Sequence, residues 1–222
     1  LVGYHSDNWI YEVFYEDGSK CGLYIFDPYA RPSKSGGAWM NNLIDQSHLL
    51  GKKPIVVNNM NIPKPAEGEV ALMTFDEVNT LFHEFGHGLH HMMTAQETLG
   101  VSGIAGVPWD AVELPSQFLE NFCYEPEGLS LMSAHFQTQE PLPQAQLDKL
   151  IAARSFQAGM QTLRQVEFAL FDFTLHAHYN PAAPEPFMQV LNRVREQVAV
   201  VPSPAYGRFP CSFSHIFAGG YA

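Results

Sequence analysis

The stretch Leu81-Phe82-His83-Glu84-Phe85-Gly86-His87-Gly88-Leu89-His90-His91 places two imidazoles four residues apart with a carboxylate between them. On a helix, positions four apart share a face, so His83 and His87 project together and Glu84 lies beside them. The residues just upstream predict that helix. Thr74-Phe75-Asp76-Glu77 fits a capping box, with Thr74 as N-cap and Glu77 three residues on. Val78, Leu81, Phe82, Phe85, Leu89, Met92 and Met93 then recur at helical spacing. They form an apolar stripe that commits one side of the helix to a core.

Upstream of this helix the sequence predicts a small sheet, over about residues 1–62. Trp9-Ile10-Tyr11-Glu12-Val13-Phe14-Tyr15 is rich in aromatic and β-branched residues, Glu16-Asp17-Gly18-Ser19 is a tight-turn signal, and Cys21-Gly22-Leu23-Tyr24-Ile25-Phe26 returns as a second strand. Residues 28–37 are rich in Pro, Gly and Ser and predict a loop. Ala38-Trp39-Met40-Asn41-Asn42-Leu43 and Pro54-Ile55-Val56-Val57-Asn58 are further strands. From about residue 74 to 222 the pattern is helical. A glycine-rich loop spans residues 100–107, as either a mobile connector or a flap over substrate. Helix resumes over residues 110–123, with Pro115 tolerable only near its first turn. Residues 142–180 carry one long helix or two consecutive ones, and residues 185–198 another. The expected class is α+β, mainly α, in one segment.

Composition narrows the partners. The 222 residues are 46% hydrophobic and 16% charged, as in an ordinary globular protein with a large interior. A net charge of -11 repels phosphates and argues against nucleic acid. No run of about 18 uncharged apolar residues reads as membrane-spanning. Cys21, Cys123 and Cys211 are scattered and odd in number, so they predict reduced core thiols of a cytoplasmic protein.

The H-E-x-x-H pattern is the arrangement of zinc peptidases. A catalytic zinc needs three protein ligands and an open position. His83 and His87 supply two, and there are two candidates for the third. His90 faces roughly the same way, but its backbone lies about 10 Å along the axis from that of His83. Glu113 opens the next helix, and a helical hairpin returning across the first would bring its carboxylate over the two histidines, which favours it. Gln117 or Glu120, one and two turns on, could accept a hydrogen bond from a ligand imidazole. Glu84 is the expected general base. Oxyanion donors are sought in His215 and Tyr221, near the C-terminus. His91 reads as a surface residue, His5, His48 and His135 as ordinary histidines, and Met92 and Met93 as core filler. His176 and His178 suit a helix C-terminus.

Phe82-His83-Glu84-Phe85-Gly86-His87 and Val112-Glu113-Leu114-Pro115-Ser116-Gln117-Phe118-Leu119-Glu120-Asn121-Phe122 resemble the two zinc motifs of the thimet oligopeptidase family. The resemblance is strongest to its bacterial oligopeptidase A and dipeptidyl carboxypeptidase branch. Gly36-Gly37-Ala38-Trp39-Met40, Gly106-Val107-Pro108-Trp109-Asp110 and Phe213-Ser214-His215-Ile216-Phe217-Ala218-Gly219-Gly220-Tyr221 are similar to further signatures of that family. Phe122 stands where the family's tryptophan is expected. The resemblance implies one zinc ion bound by His83, His87 and Glu113, Glu84 as the catalytic carboxylate, and His215 and Tyr221 in a loop contacting substrate. It implies a zincin-like fold and a channel admitting short unstructured peptides, one of which would pair with a sheet edge beside the metal. Family members are much longer, so the chain is expected to be the central catalytic segment of a larger enzyme. Truncation would leave apolar surface able to self-associate and could leave an inactive zinc- or peptide-binding piece.

Overall fold

The computed structural model describes residues 3–219. Two compact units divide the chain, residues 1–147 and 148–222. The first begins with strands β1 (Trp9–Phe14), β2 (Lys20–Tyr29), β3 (Trp39–Ile44) and β4 (Ile55–Ile62). The expected hairpin is present, β1 pairing antiparallel with β2. The sheet order is β1-β2-β4-β3. Thus β4 inserts between its two predecessors, parallel to β2 and antiparallel to β3, and β3 becomes an edge. This order follows from burial. β2 and β4 are nearly continuous in buried positions, as central strands are, whereas β3 alternates exposed and half-buried residues.

Helix α1 (Phe75–Met92) starts at Thr74, whose side chain accepts from the Glu77 amide while the Glu77 carboxylate accepts from the Thr74 amide. The capping box is therefore complete. Leu81, Phe85 and Leu89 of α1 pack on a core of Cys21, Tyr24, Phe26, Val56, Met60, Ile62 and Met92. Each large side chain buried there contributes about 1.5–3 kcal/mol. Met93, expected in this core, is exposed because α1 ends one residue earlier.

Helix α2 (Leu114–Glu120) is shorter than the sequence predicts; residues 110–113 are turn, and Pro115 sits in its first turn. A 3-10 turn (Asn121–Tyr124) and α3 (Pro126–Met132) follow, the latter not anticipated. The predicted region 142–180 resolves into α4 (Gln144–Ala153) and α5 (Ala158–His178). The break between them contains Gln157 in a left-handed conformation, φ 54°. Helix α6 (Phe187–Val198) packs against α5, and α7 (His215–Ala218) is a single turn. Their core is Phe171, Val190, Leu191 and Ile216. Cys21 and Cys123 are buried thiols, but Cys211 is exposed and does not belong to a core. Among the described residues, no helix is long and apolar enough to cross a membrane.

Candidate metal centre

Three residues build the cluster, two on α1 and one at the start of α2. His83 and His87 lie one turn apart on α1, their rings 5.0 Å between centroids. Glu113 occupies the position just before α2. The helices come together because Gly86 has no side chain: a Cβ there would fall 2.6 Å from the Ser116 Cα and 2.7 Å from the Pro115 carbonyl oxygen. The glycine inside the motif is thus a contact surface. It lets α2 lie against α1 with Glu113 over the two imidazoles.

One carboxylate oxygen of Glu113 lies 3.1 Å from Nε2 of His83 and 3.1 Å from Nε2 of His87. Ligand atoms of His83, His87 and Glu113 all fall within 4.8 Å of one another, a grouping that could hold a metal ion. His90 is outside that group. It faces a cavity of about 390 Å³ lined by Gly86, Leu89, Pro115 and Phe118, and burial lowers its proton affinity.

Two further contacts fix the cluster. Glu120 accepts a hydrogen bond from Nδ1 of His83 at 2.6 Å, which keeps the proton on Nδ1 and directs the Nε2 lone pair inward. Of the two residues proposed for that task, Gln117 is exposed. Ser116 Oγ donates to the Glu113 carboxylate at 2.7 Å, a contact the sequence alone did not suggest. Burial pushes the His87 pKa below its ordinary value, against the pull of Glu113. A neutral imidazole is the form that can ligate.

Glu84 is buried beside the cluster. Burial raises the pKa of its carboxyl; His83 lowers it, Glu113 raises it further, and the nearby Met40 backbone amide lowers it. Met40 lies on the edge strand β3, so β3 runs directly past the carboxylate. This link was not visible beforehand, because β3 reaches Glu84 only through its place in the sheet. His91, expected at the surface, is fully buried. His215 is exposed on α7 in the second unit. Tyr221 lies outside the described residues.

Residues 2–222 match Peptidase family M3. The chain belongs to that family. Among curated relatives, 222 residues are 53% identical to oligopeptidase A of Salmonella typhimurium, covering 99% of this chain and 33% of that protein. The organellar oligopeptidase A of Arabidopsis thaliana is 45% identical over 226 residues, 99% of this chain and 29% of its own length. Dipeptidyl carboxypeptidase of Escherichia coli is 36% identical over 222 residues, 99% of this chain and 32% of its own. The chain thus spans about a third of the length of the relatives it matches. Within the family's frame, both sequence stretches that resembled zinc motifs lie at the cluster, one on α1 and the other at α2.

Proposed function

We propose that this chain is the catalytic segment of a zinc-dependent metalloendopeptidase that hydrolyses short, unstructured peptides, with His83, His87 and Glu113 as zinc ligands and Glu84 as general base. The observation that carries this reading is the single Glu113 oxygen equidistant from two imidazole nitrogens, 3.1 Å each. The fit to zinc can be tested on that spacing. With metal–ligand bonds of about 2.0–2.1 Å, neighbouring corners of a zinc tetrahedron are about 3.3–3.4 Å apart. Two neutral nitrogens and one carboxylate oxygen, with a fourth corner free, form the donor set of a catalytic zinc site.

Zinc bound there supplies Lewis acidity, polarising the scissile carbonyl and lowering the pKa of an attacking water from about 15.7 toward about 7. The remaining work falls to the chain. Glu120 and Ser116 hold His83 and Glu113 in place through the contacts described above. Glu84 takes a proton from the attacking water and delivers it to the leaving amine. Its burial-raised proton affinity suits a base that must hold that proton between the two steps. An extended peptide would pair with the free edge of β3, which fits a zincin-like arrangement of helix over edge strand. His215 and Tyr221 remain the proposed donors to the oxyanion. The buried free thiols of Cys21 and Cys123 agree with a cytoplasmic location, and exposed apolar residues such as Leu114, Phe118 and Phe217 with self-association.

The test combines metal analysis with cleavage of an internally quenched peptide blocked at its C-terminus. Expected are one zinc per chain and cleavage of the blocked substrate. Glu84→Gln should keep the zinc and lose about 10²–10⁴-fold in kcat. Cleavage confined to free C-termini would indicate a dipeptidyl carboxypeptidase, for which 36% identity to that enzyme is the supporting observation. Zinc bound without any turnover would leave a binding module.

A further inference from the structure

The buried His91 has no part in the metal cluster, yet it is the most connected polar side chain at the end of α1. Its Nδ1 accepts from the Ile104 amide at 3.2 Å. The proton therefore sits on Nε2, which faces the Ile44 carbonyl at 3.3 Å and the Asp45 carboxylate at 3.4 Å. One acceptor and one donor are what a neutral imidazole offers, and both are used. The glycine-rich loop is shaped around the ring. Gly103 has φ +65°, and a Cβ there would lie 2.2 Å from His91 Nδ1. Beside it the fully buried Ser102 donates to the Gln46 carbonyl at 3.1 Å, so the middle of the loop is anchored to the chain just beyond β3.

The spacing gives these contacts a consequence. His91 lies seven residues after Glu84, two turns along the same face of α1, a rise of about 10 Å. Their partners on the strand, Met40 and Ile44, are four residues apart, about 13 Å. Helix and edge strand thus meet at two places: the amide of Met40 faces the Glu84 carboxylate, and the Ile44 carbonyl at the end of β3 lies 3.3 Å from His91 Nε2. Pairing with β4 ties β3 into the sheet, and these two contacts set how that edge lies against α1. We propose that His91 is a positioning residue: as the second attachment of β3 to α1, it fixes the edge strand, and with it the backbone of a paired peptide, relative to Glu84. The proposal rests on the peptidase reading of the site; the attachment itself does not.

Three variants separate this from simple core packing. His91→Phe keeps the ring volume and removes both hydrogen bonds. His91→Gln can restore the donor toward Ile44, and His91→Asn the acceptor for Ile104. Amide exchange on the metal-free protein should quicken by about tenfold at Met40 and Ile104 in His91→Phe, while the middle of α1 keeps its protection. His91→Gln should recover protection at Met40, and His91→Asn at Ile104. With zinc affinity unchanged, kcat/KM per bound zinc for the blocked peptide should fall about tenfold or more in His91→Phe and recover in His91→Gln. If His91→Phe melts earlier but keeps wild-type kcat and KM per site, His91 is only a core residue and the proposal fails. Should the wild-type protein cleave nothing, the peptidase reading falls. Exchange then still decides the attachment: selective quickening upholds it and uniform quickening overturns it.

Discussion

Helices α1 and α5 are both long and rich in apolar residues, yet the structure holds them by different means. In α1, 18 residues long, the buried positions are Glu84, Gly86, Gly88, His91 and Met92. In α5, 21 residues long, they are Glu167 and Phe171. Besides the core packing of Leu81, Phe85, Leu89 and Met92, the first helix is fixed by polar contacts of set direction and by a backbone approach that only glycine permits. The second rests on side-chain mass, with Phe171 in a core and Phe168 stacked on Phe209 at 4.7 Å. Its one buried charge, Glu167, is held by Arg195 and Arg164 at 2.7 and 2.6 Å. Direction is what a metal site needs; mass suffices for a scaffold.

This contrast can be broken most forcefully at Phe171. Phe171→Ala should cost about 3–5 kcal/mol, read as lost exchange protection in α5 and α6, while zinc affinity stays at the wild-type value. Loss of zinc together with the helices would mean that the first unit depends on the second for its site. A smaller effect of the opposite kind is expected at Glu120. Glu120→Gln should weaken zinc about 10–100-fold in a competition titration and leave the melting temperature of the metal-free protein nearly unchanged. The glycines sharpen the comparison further. Gly86→Ala must push α2 off α1 and should cost about 1–3 kcal/mol by denaturant titration. Gly159→Ala, at the start of α5, meets nothing within 4 Å and should stabilise by up to about 1 kcal/mol. Equal penalties at both would refute the idea that α1, unlike α5, depends on close backbone contact.

How much of this was legible in the chain varies by element. The capping box at Thr74, the helix it starts and the shared face of His83 and His87 were all readable, because each depends on residues within a turn or two. The β1–β2 hairpin was readable for the same reason, through the turn at Asp17-Gly18. Residues 142–180 could not be divided in advance, since the break at Gln157 is made by an ordinary residue adopting a left-handed backbone, while the nearby Gly159 falls inside α5 and does not mark it. The exposed setting of Cys211 and the burial of His91 were misjudged on average tendencies of residue types. His91 lies at the far end of the apolar stripe, and the loop that covers it carries its signal only in Gly103.

The sequence alone determined the helix that carries His83 and His87 on one face, because helical geometry converts a spacing of four into a shared face, and it favoured Glu113 as the residue to join them. It could not determine which elements that helix would meet. The edge position of β3, the amide of Met40 on Glu84 and the placing of His91 between strand and loop all follow from strand order and loop path. Those are set jointly by burial across the whole sheet rather than by any local pattern. Gly86 joins the two levels. Its position in the motif is local, while its purpose, leaving room for the Ser116 backbone where a Cβ would fall 2.6 Å from it, exists only once α2 has returned across α1.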